Sequence, residues 1–439
     1  MEILGGLMKT NLLVLAFRNL GRHKVKTIIT TLSIVLCIWS YIVMDAFLMG
    51  STIDSMRNIL NLETGAAKIY SKEYFKNKED LPLYEAFTGW EEIVDELNQK
   101  GYIACPKVTF SGTLLFNNKE LPFIFNGLDD TKSREVFQLH RYMESGNYVT
   151  NGKFELVIGS KGAYDLGVKL GDTINLYTTI DQKNESGKVV RTSQVIPLKI
   201  GGIINTTNPY INNRMAFLPI DILNDELLGL RLGGAVTEIA IRKKGFSPSA
   251  LSVREESPSV ISKEIGNILT DDLTVVSWRE DAKDFIAMSD QDKSGTAVLL
   301  LFLIVLTVIG ISNTMLMATL ERTKEIGMTR ALGMTDSEIF VSFVIEAAMI
   351  GFIGAIVGLI VSIPFNIYMV NVGIDFSNTL EAFGTDEIGY RLVGIYKSAW
   401  NWGNAFLSIF IATLVAALAS IIPVLRAVKI PIVEALRFE

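Results

Sequence analysis

Residues 321–335 read Glu-Arg-Thr-Lys-Glu-Ile-Gly-Met-Thr-Arg-Ala-Leu-Gly-Met-Thr, and they separate two hydrophobic runs long enough to cross a bilayer. Both signs of charge and two glycines in so short an insert suit ion pairing and docking more than bond-making. Groups for bond-making are scarce elsewhere. The chain has two histidines, His23 and His140, with no cysteine or carboxylate cluster at metal-ligand spacing beside either, so a zinc site or histidine-based triad is not expected. Gly162 and Gly167 have the first spacing of a phosphate loop, but Val168 and Lys169 stand where Gly-Lys-Ser/Thr would follow. They read as turn glycines around a short helix. Neighbouring carboxylates, Asp129 with Asp130 and Glu255 with Glu256, diverge in any regular element and read as solvated surface. Cys37 and Cys105 are the only cysteines, which excludes a disulfide framework and leaves two buried thiols.

The insert must be positioned by the hydrophobic runs around it. Hydrophobic residues make up 49% of the chain and its mean hydropathy is +0.33, too apolar for an ordinary soluble protein of 439 residues. Four runs, 28–50, 295–318, 339–370 and 403–425, meet or exceed the ~20 residues that span about 30 Å of hydrocarbon. The third is long enough to tilt, to kink at Pro364, or to continue into an interface. The expected fold is an α-helical membrane protein with four transmembrane helices and a large mixed α/β extracytoplasmic domain, residues 51–294, between the first and second. A basic segment (1–27), the insert loop (319–338), a second loop (371–402) and a tail (426–439) complete the chain.

Basic residues orient it. Lys9, Arg18, Arg22, Lys24 and Lys26 precede the first run, Arg322, Lys324 and Arg330 lie in the insert, and Arg426, Lys429 and Arg437 follow the last run. The positive-inside rule puts all three groups, and so both termini, in the cytoplasm. Residues 28–50 exceed the 7–15 apolar residues of a signal peptide and lack an A-x-A site, so they read as an uncleaved anchor. Leu12, Leu13, Ala16, Phe17 and Leu20 share one helical face, with Arg18, Asn19, Arg22 and Lys26 away from it, as in a helix resting on membrane lipids. The net charge of -6 argues against nucleic acid as a partner.

In the large domain, 156–159, 173–178, 197–204, 215–219 and 237–242 read as strands, 161–166 as a short helix, and 167–172 as a turn. Residues 258–270 and 278–292 read as helices, the second running on into the second span. No internal repeat is present. Within the apolar runs, Asp45 reads as an outer-boundary residue, while Glu346 demands a polar partner on another helix or a path to the inner interface. Gly351, Gly354 and Gly358 present a flat face for close helix packing. The insert itself reads as a short amphipathic helix that turns near Gly327 or Gly333, with a capping box at Thr335-Asp336-Ser337-Glu338. Lys324, Glu325 and Arg330 would project outward while Ile326, Met328 and Leu332 anchor it. The competing reading is a solvated loop whose charges only set topology.

Asn313-Thr314-Met315 followed by 321–335 closely resembles the signature of the FtsX/MacB-type ABC transporter permeases. Residues 17–27 resemble that family's basic approach to its first span, Glu346 with the three glycines its third, and Pro423-Val424-Leu425-Arg426-Ala427 with 431–437 its C-terminal motif. The stretch 157–172 is similar to the MacB-like periplasmic domain. Within the family, the size and order of parts are most similar to the LolC/LolE lipoprotein-releasing permeases.

The resemblance implies a permease subunit of the cell inner membrane that is not itself an enzyme. With no Walker motif it would bind no cofactor, and ATP would be bound by a separate cytoplasmic ABC ATPase. The insert would be the coupling helix, with Glu321, Arg322, Lys324, Glu325, Ile326, Gly327, Arg330, Leu332 and Gly333 as its ATPase-coupling residues. A second permease chain, identical or not, would complete a dimer. Closure of the ATPase would move the outer domains as levers, a mechanotransmission that needs no tunnel through the bilayer. The implied cargo is lipoprotein handed to a periplasmic carrier, for which 206–214, a polar loop containing Asn208-Pro209, is the candidate contact. The alternatives are a MacB-like efflux permease working with an adaptor, or FtsX-like signalling to a cell-wall hydrolase.

Overall fold

The computed structural model describes residues 24–183, 189–224, 232–245, 263–266, 269–375 and 395–431. Helix α1 (Lys24–Asn58) passes through a π-turn (Ile59–Thr64) into strand β1 (Ala67–Ser71) and the short helix α2 (Lys72–Lys76). Helix α3 (Trp90–Gln99) precedes the long hairpin of β2 (Tyr102–Phe116) and β3 (Lys119–Leu128). Then come α4 (Asp130–Val136), β4 (Met143–Gly146), β5 (Glu155–Gly159), α5 (Ser160–Leu166), and the hairpin of β6 (Thr173–Lys183) and β7 (Val189–Ile204). Next are α6 (Pro209–Arg214), β8 (Met215–Pro219), β9 (Glu238–Lys243), β10 (Leu273–Ser277) and α7 (Trp278–Asp281). The chain ends with α8 (Lys283–Glu321), α9 (Thr323–Ala331), α10 (Asp336–Asn371), the strand pair β11 (Ile374–Asp375) and β12 (Ile395–Tyr396), and α11 (Trp402–Val428).

These elements fall into two units, one built from 1–51, 290–373 and 397–439, the other from 52–289 and 374–396. In the first, α1, α8, α10 and α11 each contain a stretch long and apolar enough to cross a membrane. Their shared core draws Ile34, Ile38 and Tyr41 from α1, Ile311 and Met315 from α8, Ala347, Ile350 and Ala355 from α10, and a row of alanines, Ala405, Ala412, Ala416 and Ala419, from α11. The row is spaced so that every residue in it returns to one face of α11. Outward faces such as Val298, Leu301, Phe302 and Ile309 are apolar and bare, as a lipid-facing surface requires.

The second unit is mixed α/β, built on a ten-stranded sheet with the order β10-β1-β9-β2-β3-β8-β5-β7-β4, and β6 pairing with both β2 and β7. Side-chain alternation gives the sheet two buried faces. Ile69, Val108, Phe110, Phe125, Ile239, Ile241 and Leu218 point into one core, while Cys105, Leu128, Phe217 and Ala240, on the intervening positions of the same strands, join the other. The four apolar helices and the α/β unit between the first and second were both expected from the sequence.

The strands expected at 156–159, 173–178, 197–204, 215–219 and 237–242 are β5, β6, β7, β8 and β9, and the expected short helix is α5. Gly167 is a turn glycine at the end of α5, but Gly162 lies inside that helix, where a Cβ would come within 2.6 Å of the Phe123 ring. The helix expected over 278–292 is broken at Ala282, after which α8 runs without interruption into the second apolar run. Residues 206–214, expected as a polar loop, carry the helix α6, and its N-cap Asn208 is buried and donates through Nδ2 to Glu63 Oε1 at 2.7 Å. Both cysteines are free, but only Cys105 is buried as expected and Cys37 is half-buried; burial, helped by Asp129, pushes the Cys105 thiol up to about 12. The amphipathic face before residue 24, most of 258–270, the loop residues 376–394 and the motif residues 432–437 lie outside the described residues.

Candidate functional site: the inner insert and its anchor

Helix α8 ends at Glu321, and Arg322 leaves helical geometry (φ -101°, ψ 12°) before α9 begins. The interruption is slight, since Ile326 N still donates to Arg322 O at 2.9 Å. Helix α9 ends at Ala331 and the chain turns at Gly333, whose φ of +102° favours glycine, with Met334 N closing the turn on Thr329 O at 3.1 Å. Helix α10 then starts with the expected capping box: Thr335 Oγ1 accepts from Glu338 N at 3.4 Å and Glu338 Oε2 accepts from Thr335 N at 2.8 Å. The turn thus belongs to Gly333 alone. Gly327, the other expected turning point, is buried within α9.

One face of α9 is pinned. Thr323, Ile326 and Gly327 are buried, and Ile326 packs with Ile339, Phe343, Val424 and Ala427. Arg322 Nη1 donates to Glu346 Oε2 at 2.9 Å with both side chains about a tenth exposed (11% and 10%). Its guanidinium lies 4.8 Å from the Phe343 ring centroid, and its Nε is 3.5 Å from Glu325 Oε2. Glu346 therefore has a partner from the insert. Arg330, expected to project outward, instead donates through Nη1 to the Ile430 carbonyl at 2.6 Å and pairs through Nε with Asp336 at 2.9 Å.

The opposite face is bare. Lys324, Met328 and Leu332 recur at i, i+4 and i+8 with Glu321 alongside, and all four are exposed. Met328 and Leu332 were expected to anchor the helix beside Ile326, yet Met328 is 47% and Leu332 88% exposed. Two residues on from Ile326 is roughly 200° around a helix, so Met328 cannot share its side. Gly333 is exposed beside them and Glu325 half-buried.

The glycines of α10 meet two other helices. A Cβ on Gly351 would lie 2.6 Å from that of Ala416 on α11, one on Gly354 2.9 Å from Ile34 Cβ on α1, and one on Gly358 3.0 Å from Ile38 Cβ. Asp45, placed at the outer boundary by the sequence, accepts from Asn404 Nδ2 at 2.8 Å.

Sequence reasoning found no concentration of chemistry in the α/β unit, but the fold makes one. Glu238 on β9 sits opposite Lys107 on β2, which it meets at 2.8 Å, and also meets Lys68 of β1 at 3.1 Å. Asp281 binds Lys68 at 3.2 Å and Lys78 at 2.7 Å. Burial opposes the Glu238 charge, but Lys107 and Lys68 outweigh it and hold the carboxyl at about 2. Burial likewise works against the Lys68 ammonium, yet Asp281 and Glu238 raise its pKa, whereas Lys107, also buried and repelled by Lys68, is lowered. Among the described residues, no group of three or more His, Cys, Asp and Glu could hold a metal ion.

Comparison with known proteins bears on the insert. Residues 297–432 match the family described as FtsX-like permease C-terminal. Over 99% of its length, at 24% identity, the chain is similar to an uncharacterized ABC transporter permease of Methanocaldococcus jannaschii, which it covers completely. The chain carries an FtsX-like permease domain, and its homologues are ABC transporter permeases. The insert, Glu346 and the three α10 glycines all lie inside that domain. The chain is also similar to the lipoprotein-releasing system transmembrane protein LolC of Neisseria meningitidis, at 22% identity over 80% of this chain and 82% of LolC. It is 27% identical over 84% of its length to the macrolide export ATP-binding/permease protein MacB of Campylobacter jejuni, of which it covers 55%.

Proposed function

We propose that this permease couples ATP hydrolysis on a separate cytoplasmic ATPase to movement of its α/β unit, and that the bare face of α9 is where the ATPase docks. The observation that carries this reading is the contrast between the two sides of one short helix. Arg322, Ile326 and Arg330 tie one side to α10 and to the chain after α11, while Leu332 and Met328 stand exposed beside Lys324 and Glu321 on the other. Apolar side chains held rigidly among charges are what a docking surface offers a partner. ATP belongs to that partner and no cofactor to this chain. A second permease chain completes the working pair. In this reading the insert and both termini face the cytoplasm and the α/β unit lies outside the inner membrane, as the basic residues near the spans favour.

Leu332→Asp is expected to weaken co-purification with the partner ATPase at least tenfold, the ~1.4 kcal/mol lower end of what burying a leucine contributes. The chain itself should insert and melt as before, because Leu332 touches little of its own fold. Unchanged co-purification and unchanged stimulated ATPase activity would refute the docking face. Reversing Glu325 is a poorer probe, since it lies 3.5 Å from Arg322 and would disturb the anchor too.

For cargo we favour lipoprotein release. The support is that the chain covers 82% of LolC but 55% of MacB, an ATP-binding/permease protein. Depletion should leave lipoproteins in the inner membrane. Normal lipoprotein sorting with new drug sensitivity would instead favour a MacB-like efflux role, and a cell-wall hydrolysis defect an FtsX-like signalling role.

A further inference from the structure

One face of five adjacent strands floors a cavity of about 320 Å³ in the α/β unit. That volume lies within the ~300–1,000 Å³ of typical small-molecule sites. Register fixes its two ends. Tyr70, Glu238 and Lys107 stand opposite one another across β1, β9 and β2, with Lys68 and Thr109 two residues along on the same face. The row continues to Leu128 on β3, and there the chemistry changes: Asn126 pairs with Phe217 and Ile124 with Met215 on β8. The floor is charged over β1, β9 and β2 and apolar over β3 and β8.

Asn126 marks the border. It is 1% exposed, its Oδ1 accepts from Thr109 Oγ1, and its Nδ2 has no hydrogen-bond partner among the described residues. A buried amide donor without an acceptor is destabilising, and an acceptor on a guest would relieve it. Its diagonal neighbour Lys107 carries three donors and meets one carboxylate oxygen, Glu238 Oε1. The carboxylates on the floor are by contrast taken: Glu238 is shared by Lys68 and Lys107, and Asp281 by Lys68 and Lys78. An ammonium head would meet three lysines and engaged carboxylates, whereas an acceptor head would meet idle donors.

We propose that this cavity binds a small amphiphile whose carboxylate or acyl carbonyl accepts hydrogen bonds from Asn126 and Lys107 while its aliphatic tail lies over Leu128, Met215 and Phe217. The site is independent of the docking face on α9 and of the cargo reading. Its test uses the full chain in lipid nanodiscs, with saturation transfer read on the methyl protons of hexanoate. Hexanoate should show transfer above empty discs, and hexylammonium, with the same tail, should not. Asn126→Asp should weaken hexanoate binding at least tenfold. Asn126→Leu, which removes the idle donor without adding charge, should retain the melting temperature and lose most of the transfer. No transfer above empty discs, equal transfer from hexylammonium, or hexanoate transfer unchanged in both variants would overturn the proposal.

Discussion

Glu346→Ala is expected to destabilise the membrane unit by about 3–5 kcal/mol, far more than a surface ion pair contributes. The difference comes from what is left behind. With Arg322 and Glu346 both about a tenth exposed, removing the carboxylate strands a guanidinium against Phe343 with only the 3.5 Å approach of Glu325 to balance it. Replacing both partners, as in Arg322→Met with Glu346→Leu, should recover most of the lost stability, because a matched apolar pair has no desolvated charge to strand. Thermal unfolding in one detergent across the two single variants and the double gives the coupling. If Glu346→Ala shifts stability by less than about 1 kcal/mol, the pair is solvated and the insert is not anchored through it. If the pair anchors the insert, the double variant should regain stability without full stimulated ATPase activity, since two apolar chains hold α9 less directionally than a charged hydrogen bond does.

Glu238→Gln should cost the α/β unit a comparable about 3–5 kcal/mol, since it leaves Lys107 and Lys68 buried with their shared counter-charge gone. Acid should reproduce part of that loss in the unaltered chain. The Glu238 carboxyl is held at about 2 against its usual 4.5, because Lys107 and Lys68 outweigh the burial that would raise it. Between those two values the unfolded chain holds a proton that the folded chain refuses, so stability rises with pH across the window and is lost as pH falls from about 4.5 toward 2. At ~1.4 kcal/mol for each tenfold in proton affinity, the loss amounts to a few kcal/mol. Denaturant titrations followed by tryptophan fluorescence at neutral and acidic pH check both statements. A Glu238→Gln variant as stable as the parent, with the same acid sensitivity, would mean that the lysines find other counter-charges.

The apolar helices were legible because a bilayer demands a continuous run of some twenty apolar residues, and 28–50 or 403–425 supplies one by itself. The strand at Glu238–Lys243 was legible because its alternation is local. The capping box at Thr335 needed only four consecutive residues. What failed, or was missed, depended on angle or on distant pairing. Charge and hydropathy assigned Arg330 to the outside and Met328 and Leu332 to the inside, but the helix phase is set by Thr323, Ile326 and Gly327, and it turns each of the three the other way. The row formed by Lys68, Glu238 and Lys107 joins Glu238 to two lysines more than a hundred residues before it, through a strand order in which β9 inserts between β1 and β2. Nothing near any one of them in sequence announces the other two. The partner of Glu346 is closer, 24 residues away, but Arg322 stands at the break between α8 and α9 and its charge alone does not single out Glu346.

Cys105 makes the α/β unit inert to thiol labelling. Its thiol is fully buried and pushed up to about 12, so at neutral pH only on the order of one molecule in 10⁵ presents a thiolate there, behind a packed wall. The folded α/β unit is thus silent toward maleimides and other thiol reagents. A chain in which only Cys37 has been replaced therefore offers a blank background for labelling. A single reporter cysteine at the bare end of α9 could then reveal from which side of the membrane it is reached, and whether a bound partner covers it.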